Sequence, residues 1–202
     1  MLHGQFIIYR SIDTAQAYGN EKGVGNAIEK CGLPREDLFI TTKIWISNAG
    51  YEKAKASIEE SLKKLKTNYI DLLLIHQPFG DYYGSYRAME EAYKAGKVRA
   101  IGVSNFYPDR YLDLVHFAEI KPAVNQVETH LFQQQKIAKE YMIKNGTQIM
   151  SWGPFAEGKN DYFNTSALKE LEALDGEQSL FFSHYDPQAV EWFMSIVQLH
   201  TG

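Results

Sequence analysis

Six short apolar runs, each closed by a polar residue and separated by longer segments, set the strongest constraint on what this 202-residue chain can fold into. The runs are "FIIYRSI" (6–12), "LFITTK" (38–43), "IDLLLIH" (70–76), "VRAIGVS" (98–104), "PAVNQV" (122–127) and "TQIMSW" (147–152). The polar residues at their ends, Asp13, Lys43, His76, Ser104, Gln126 and Ser151, follow one another at 30, 33, 28, 22 and 25 positions. One βαβ unit takes roughly 30 residues. The pacing therefore delivers one polar group per repeat to the same end of a parallel sheet, and in a (β/α)8 barrel that end is the active face. The predicted fold class is α/β of the (β/α)8 barrel type, incomplete, with six recognisable strands. An open doubly wound sheet would carry a Gly-rich fingerprint after its first strand. "YGNEKGVG" has Gly19, Gly23 and Gly25 at the wrong spacing for one.

The intervening segments have helical period. In "YEKAKASIEESLKKLK" (51–66), Tyr51, Ala54, Ile58, Leu62 and Leu65 form one apolar stripe. Tyr86, Met89, Ala92 and Tyr93 repeat the scheme, with Gly96 as a C-terminal stop, and "QQQKIAKEYMIKNG" ends in the same way at Gly146. No linker-like stretch intervenes, so a single domain over 1–202 is expected, with 175–202 as its tail. Hydrophobic residues at 45% and charged residues at 23% suit a globular chain. A net charge of −4 without a basic block gives nucleic acid no purchase. Apolar runs such as "LLLI" (72–75) are too short to span a bilayer, and "MLHGQFIIYR" lacks the features of a secretory signal. The single Cys31 excludes an internal disulfide, no metal-ligand motif is present, and a cytoplasmic location is expected.

Four residues near the strand ends carry chemistry together. In "SIDTAQAYGNE" (11–21), Asp13 offers either a helix cap or a counter-ion for a buried lysine, and Lys43 follows "FITT" where burial is expected. An ammonium beside the Tyr18 phenol would ease release of its proton, making Tyr18 a usable general acid or base. His76 can donate to a carbonyl oxygen and orient it. Glu21 reads as a first-turn acid favoured by the helix dipole rather than as a catalyst. Such a site protonates oxygen while something else attacks carbon, and a hydride from a nicotinamide would fill that role. Asn105 and Gln126 each offer a donor and an acceptor together, and Trp152 presents a large flat face.

"DTAQAYGNE", "TTKIW", "LLLIHQP", "IGVSNF", "PAVNQVE" and "SWGPFAEG", in this order, resemble the aldo-keto reductases, in particular the bacterial branch that includes 2,5-diketo-gluconate reductases. The likeness runs from about residue 9 to 164 and again through "SLFFSHYDP" (179–187). It implies a (β/α)8 barrel that uses NADPH to reduce aldehydes and ketones. On that resemblance Tyr18 would be the proton donor, Lys43 its activator, Asp13 the partner of Lys43, and His76 the group that positions the substrate carbonyl. Ser104, Asn105 and Gln126 would hold the nicotinamide carboxamide and Trp152 would stack on its ring. The segment Ser151, Gly153, Pro154, Phe155 and Gly158 would bind the cofactor, with the loop from Gly153 to Gly158 as pyrophosphate clamp. Trp45 would form an apolar wall of the substrate pocket.

The family pattern also has parts this sequence does not show: an opening hairpin, strand and helix, and an eighth strand whose basic loop takes the adenosine 2′-phosphate. Lys159 reads as an exposed loop lysine rather than a substitute for that loop. Two strand edges left unpaired would allow a homo-oligomer, and Phe181, Phe182, Trp192 and Phe193 supply apolar surface near the C-terminus. The leading expectation is an NADPH-dependent carbonyl reductase acting on a small carbonyl substrate, a keto sugar or α-keto aldehyde among the candidates. Two other readings stay open: a nucleotide-binding or interaction module without turnover, and a Schiff-base lyase using Lys43.

Overall fold

The structure, a computed structural model, describes residues 10–130, 132–154, 156 and 159. The predicted strand residues 6–9, Phe155, Gly158, and the expected tail with Phe181, Phe182, Trp192 and Phe193 lie outside the described residues. The fold divides into two compact units between Ala123 and Val124.

Among its described residues the first unit holds four parallel strands in chain order, β1 (Ser11–Asp13), β2 (Phe39–Ile44), β3 (Ile70–Ile75) and β4 (Val98–Ser104). Each is followed by a helix: α1 (Glu21–Lys30), α2 (Tyr51–Leu65), α3 (Tyr82–Lys94) and α4 (Pro108–Phe117). All six residues of β3 are buried, because its neighbours take both edges and both faces are covered, which is why "IDLLLI" reads as a continuous apolar run. Ala54, Ile58, Leu62 and Leu65 of α2 are buried as their spacing predicts, and Ser57 and Ser61 join them. Tyr86, Met89 and Ala92 of α3 are also buried, whereas Tyr93 is exposed. Gly96, at φ +72°, ends α3 at the predicted stop. Gly25 is required by packing: a Cβ there would collide with the Lys64 carbonyl oxygen and the Leu65 backbone. Helix α4 has no counterpart in the sequence reading, although Pro108 stands in its first turn and Tyr111, Leu114 and Val115 make its buried face.

The second unit contains β5 (Val124–Glu128) and β6 (Gln148–Trp152), paired parallel, with α5 (Lys136–Lys144) between them in sequence. Ala138 and Met142 are the buried residues of α5, and Gly146 at φ +74° follows its end. Among the described residues, six parallel strands alternate with helices, an incomplete (β/α)8 fold as predicted.

Candidate active site

Register decides which strand-end groups share a face. Paired residues of parallel strands point the same way, and side chains alternate along each strand. Asp13 pairs with Thr41, two residues before Lys43; Lys43 pairs with Leu74, and Leu74 with Gly102, two residues before Ser104. His76, two past Leu74, extends the ladder by donating its N–H to Ile44 O at 3.1 Å. Asp13, Lys43, His76 and Ser104 therefore fall on one face, at the carboxyl end of the first unit's strands.

Lys43 is 2% exposed. Its ammonium is ion-paired with Asp13 and donates to Thr14 O at 3.1 Å. The alternative role of Asp13 as a helix cap is corrected here: Asn20 stands at the N-cap of α1, and Asp13 is spent on the buried cation, which a lone cap could not neutralise. Tyr18 lies in the 3-10 turn Gln16–Tyr18, 54% exposed, with Lys43 Nζ 5.3 Å from its ring centre. The His76 ring meets Tyr18 edge-on at 5.7 Å and Trp45 at 5.0 Å. Burial, and then the nearby Lys43 charge, hold the His76 imidazole below its ordinary pKa, with Asp13 opposing them. Its Nδ1 is buried without a hydrogen-bond partner among the described residues. A neutral imidazole, an accessible phenol and a buried ammonium thus stand together, and this set can hand a proton to an oxygen and stabilise the phenolate left behind.

Asn105 takes the left-handed conformation at φ +62°, which Asn tolerates better than most residues. Its Nδ2 donates to His76 O at 3.0 Å and to Ser104 Oγ at 3.1 Å, joining the end of β4 to the end of β3. Glu21 does sit in the first turn of α1, but it is also buried and accepts from Thr42 Oγ1 at 2.8 Å. Nothing in the sequence marked that bond, because the partners lie 21 positions apart.

In the second unit Gln126 is buried and pairs with Met150; its Nε2 lies 3.5 Å from Met150 Sδ. Glu128 pairs with Trp152, so Trp152 shares the face of Gln126. Ser151 pairs with Val127 and points to the opposite face. Gly153, at φ +60°, turns the chain into Pro154, and Lys159 is exposed. No helix among the described residues is long and apolar enough to cross a membrane.

The profile of the Aldo/keto reductase family matches residues 8–186. A protein named glyoxal reductase from Bacillus subtilis is 49% identical over 152 residues, covering 75% of this chain and 55% of its own length. Among crystal structures, MGS-M4, an aldo-keto reductase enzyme from a Medee basin deep-sea metagenome library, superposes with a TM-score of 0.79 at 41% identity over 83% of this chain and 62% of the other. A Bombyx mori aldo-keto reductase in complex with NADP gives a TM-score of 0.75 at 32% identity, over 82% and 61% respectively. The chain spans about 55–62% of the length of these relatives.

Proposed function

The chain belongs to the aldo/keto reductase family, and from that footing we propose that it reduces an aldehyde or ketone to an alcohol at the expense of NADPH, with Tyr18 as proton donor. The observation that carries this reading is the accessible Tyr18 phenol, with the ammonium of a buried, ion-paired Lys43 5.3 Å from its ring centre and the His76 ring edge-on at 5.7 Å. NADPH, when bound, would supply a hydride for the carbonyl carbon. The residues present suit that cofactor in type: the amides of Asn105 and Gln126 with the Ser104 hydroxyl match a carboxamide, and Trp152 offers a face for its ring. Gly153 and Pro154 belong to the segment that would follow the pyrophosphate. The assignment of Ser151 to the cofactor is the least favoured, since its face is opposite to that of Gln126 and Trp152.

In this reading the substrate oxygen lies within reach of Tyr18 and His76. His76 donates to it, Tyr18 gives it a proton as it becomes an alkoxide, and the Lys43 ammonium stabilises the resulting phenolate, with Asp13 holding Lys43 in place. Trp45, edge-on to His76, forms an apolar wall. The name of the Bacillus subtilis relative points to a small α-oxo aldehyde such as glyoxal as the first substrate to try. The burial and ion pairing of Lys43 speak against a Schiff-base role, which needs a free amine open to substrate.

The test is titration of the purified chain with NADPH, followed by Trp fluorescence, then glyoxal reduction followed by loss of NADPH absorbance. Saturable binding with turnover is expected. A folded chain that binds NADPH but reduces no carbonyl compound would remove the enzymatic reading; one that binds no nicotinamide would remove the cofactor assignment as well.

A further inference from the structure

Gln16 stands between Asp13 and Tyr18, and all four hydrogen-bonding capacities of its amide are in use. Its Oε1 accepts from the Trp45 backbone N–H at 3.0 Å and from Asn48 Nδ2 at 2.9 Å. Its Nε2 donates to Ser61 Oγ at 3.1 Å and to Ser57 O at 3.3 Å. A primary amide has two acceptor lone pairs and two hydrogens, so the side chain is saturated and its orientation follows from its partners. Those partners come from two places: α2, through Ser57 and Ser61, and the turn Ile46–Asn48 with the Trp45 that precedes it. Within its own turn the backbone bonds are local, from Tyr18 N–H to Ala15 O and from Gly19 N–H to Gln16 O. They shape the turn without tying it to its neighbours. The Thr14 backbone ties the segment to β2, and the Gln16 side chain adds the tie to α2 and the Trp45 loop.

The rings beyond it give the tie a consequence. Trp45 and Tyr18 both meet His76 edge-on, one on the loop that Gln16 grips and the other on the turn that Gln16 belongs to. We infer that Gln16 is a positioning residue: it fixes the turn bearing Tyr18 against the Trp45 loop and α2, and so holds His76 between the two rings. The catalytic meaning of this role rests on the function proposed above; its geometric meaning does not. Gln16 donates to no reacting group, and a displacement of the order of 1 Å in such a frame can cost roughly 10²-fold in rate.

Gln16→Met keeps the length of the side chain and removes all four bonds. Two readouts apply to the whole chain. The first is NMR titration of the His76 imidazole, whose surroundings include Lys43, Asp13 and Tyr18. With the Trp45 wall loosened, water reaches His76, and its midpoint rises toward the ordinary value of about 6.5 while those three groups are unaltered. The second is steady-state reduction of glyoxal, where kcat falls by roughly 10-fold or more with NADPH affinity unchanged. Asn48→Ala, which removes one of the two donors to Oε1, moves both readouts in the same direction by less, and it serves if Gln16→Met does not fold. A His76 midpoint equal to that of the unsubstituted chain in the folded variant overturns the inference. So does a moved midpoint with unchanged turnover. If the unsubstituted chain reduces nothing, the proposed function fails while the titration still decides the role of Gln16.

Discussion

The two ends of the sheet in the first unit each bury a charge and treat it in opposite ways. At the amino end Asp71, the second residue of β3, is 1% exposed. Its Oδ2 accepts from Arg35 Nη2 at 2.7 Å and from the Ile40 N–H at 2.9 Å, and its Oδ1 from Arg99 Nη1 at 3.2 Å. Arg35 also donates to Leu38 O, Tyr69 O and Thr67 Oγ1 and lies 4.1 Å over the Tyr69 ring. At the carboxyl end Lys43 is as deeply buried, but it has one carboxylate, one carbonyl, an exposed phenol nearby and an imidazole whose inner nitrogen has no described partner. A charge met on every side can only hold structure. One set among groups with capacity to spare can act on a ligand.

Substitutions at the two ends should separate these roles. The largest expected effect is at the carboxyl end: Tyr18→Phe lowers glyoxal turnover by roughly 10²–10⁴-fold, with the thermal midpoint and NADPH affinity unchanged, as steady-state kinetics and calorimetry would check. Unchanged turnover would dismiss Tyr18 as the acid. Next comes Asp71→Ala, which strands Arg35 at the amino end. It is expected to cost about 3–5 kcal/mol in urea unfolding while turnover per folded molecule stays the same; a selective loss of activity would erase the contrast between the ends. Lys43→Met should do the reverse, abolishing turnover with a change within about 1 kcal/mol, because the Asp13 left behind is 32% exposed and can be hydrated. Arg99→Gln at the amino end should cost less than about 1 kcal/mol, Arg99 being 44% exposed.

The smallest effect is one of pH. His76 binds its proton less readily in the folded state, so between its folded midpoint and about 6.5 the unfolded chain carries more protons. Its contribution to stability is complete above about 6.5 and is lost as pH falls through the folded midpoint. Because Lys43 is one cause of that shift, Lys43→Met should move the His76 midpoint upward in an NMR titration. A midpoint that stays put would assign the whole effect to burial.

Most of the fold was legible because it repeats. The even pacing of Asp13, Lys43, His76 and Ser104 carried both the strands and the shared face, since each repeat restates the period of the last. Less legible was whatever depended on distant partners or on one-residue parity. Asp71 hides inside an apolar run, and its arginines lie 36 and 28 positions away. Gln16 looks like a filler between two motif residues, though its bonds reach 29 to 45 positions along the chain. Helix α4 begins at a proline, which also reads as a break. Ser151 and Trp152 are neighbours in sequence and opposites in the sheet, a distinction that only the pairing of β5 with β6 supplies.

The register of β2 carries one further implication. If that strand slid by a single residue against β3, it could recover nearly all of its backbone hydrogen bonds, yet Lys43 would swing to the helix side, away from Asp13 and among the apolar residues of α2. An ammonium buried there without a counter-ion is costly, so the mistaken sheet would be unstable. The charged pair therefore weighs against that slip: the register that keeps Lys43 beside Asp13 is also the one in which the strands have been counted correctly.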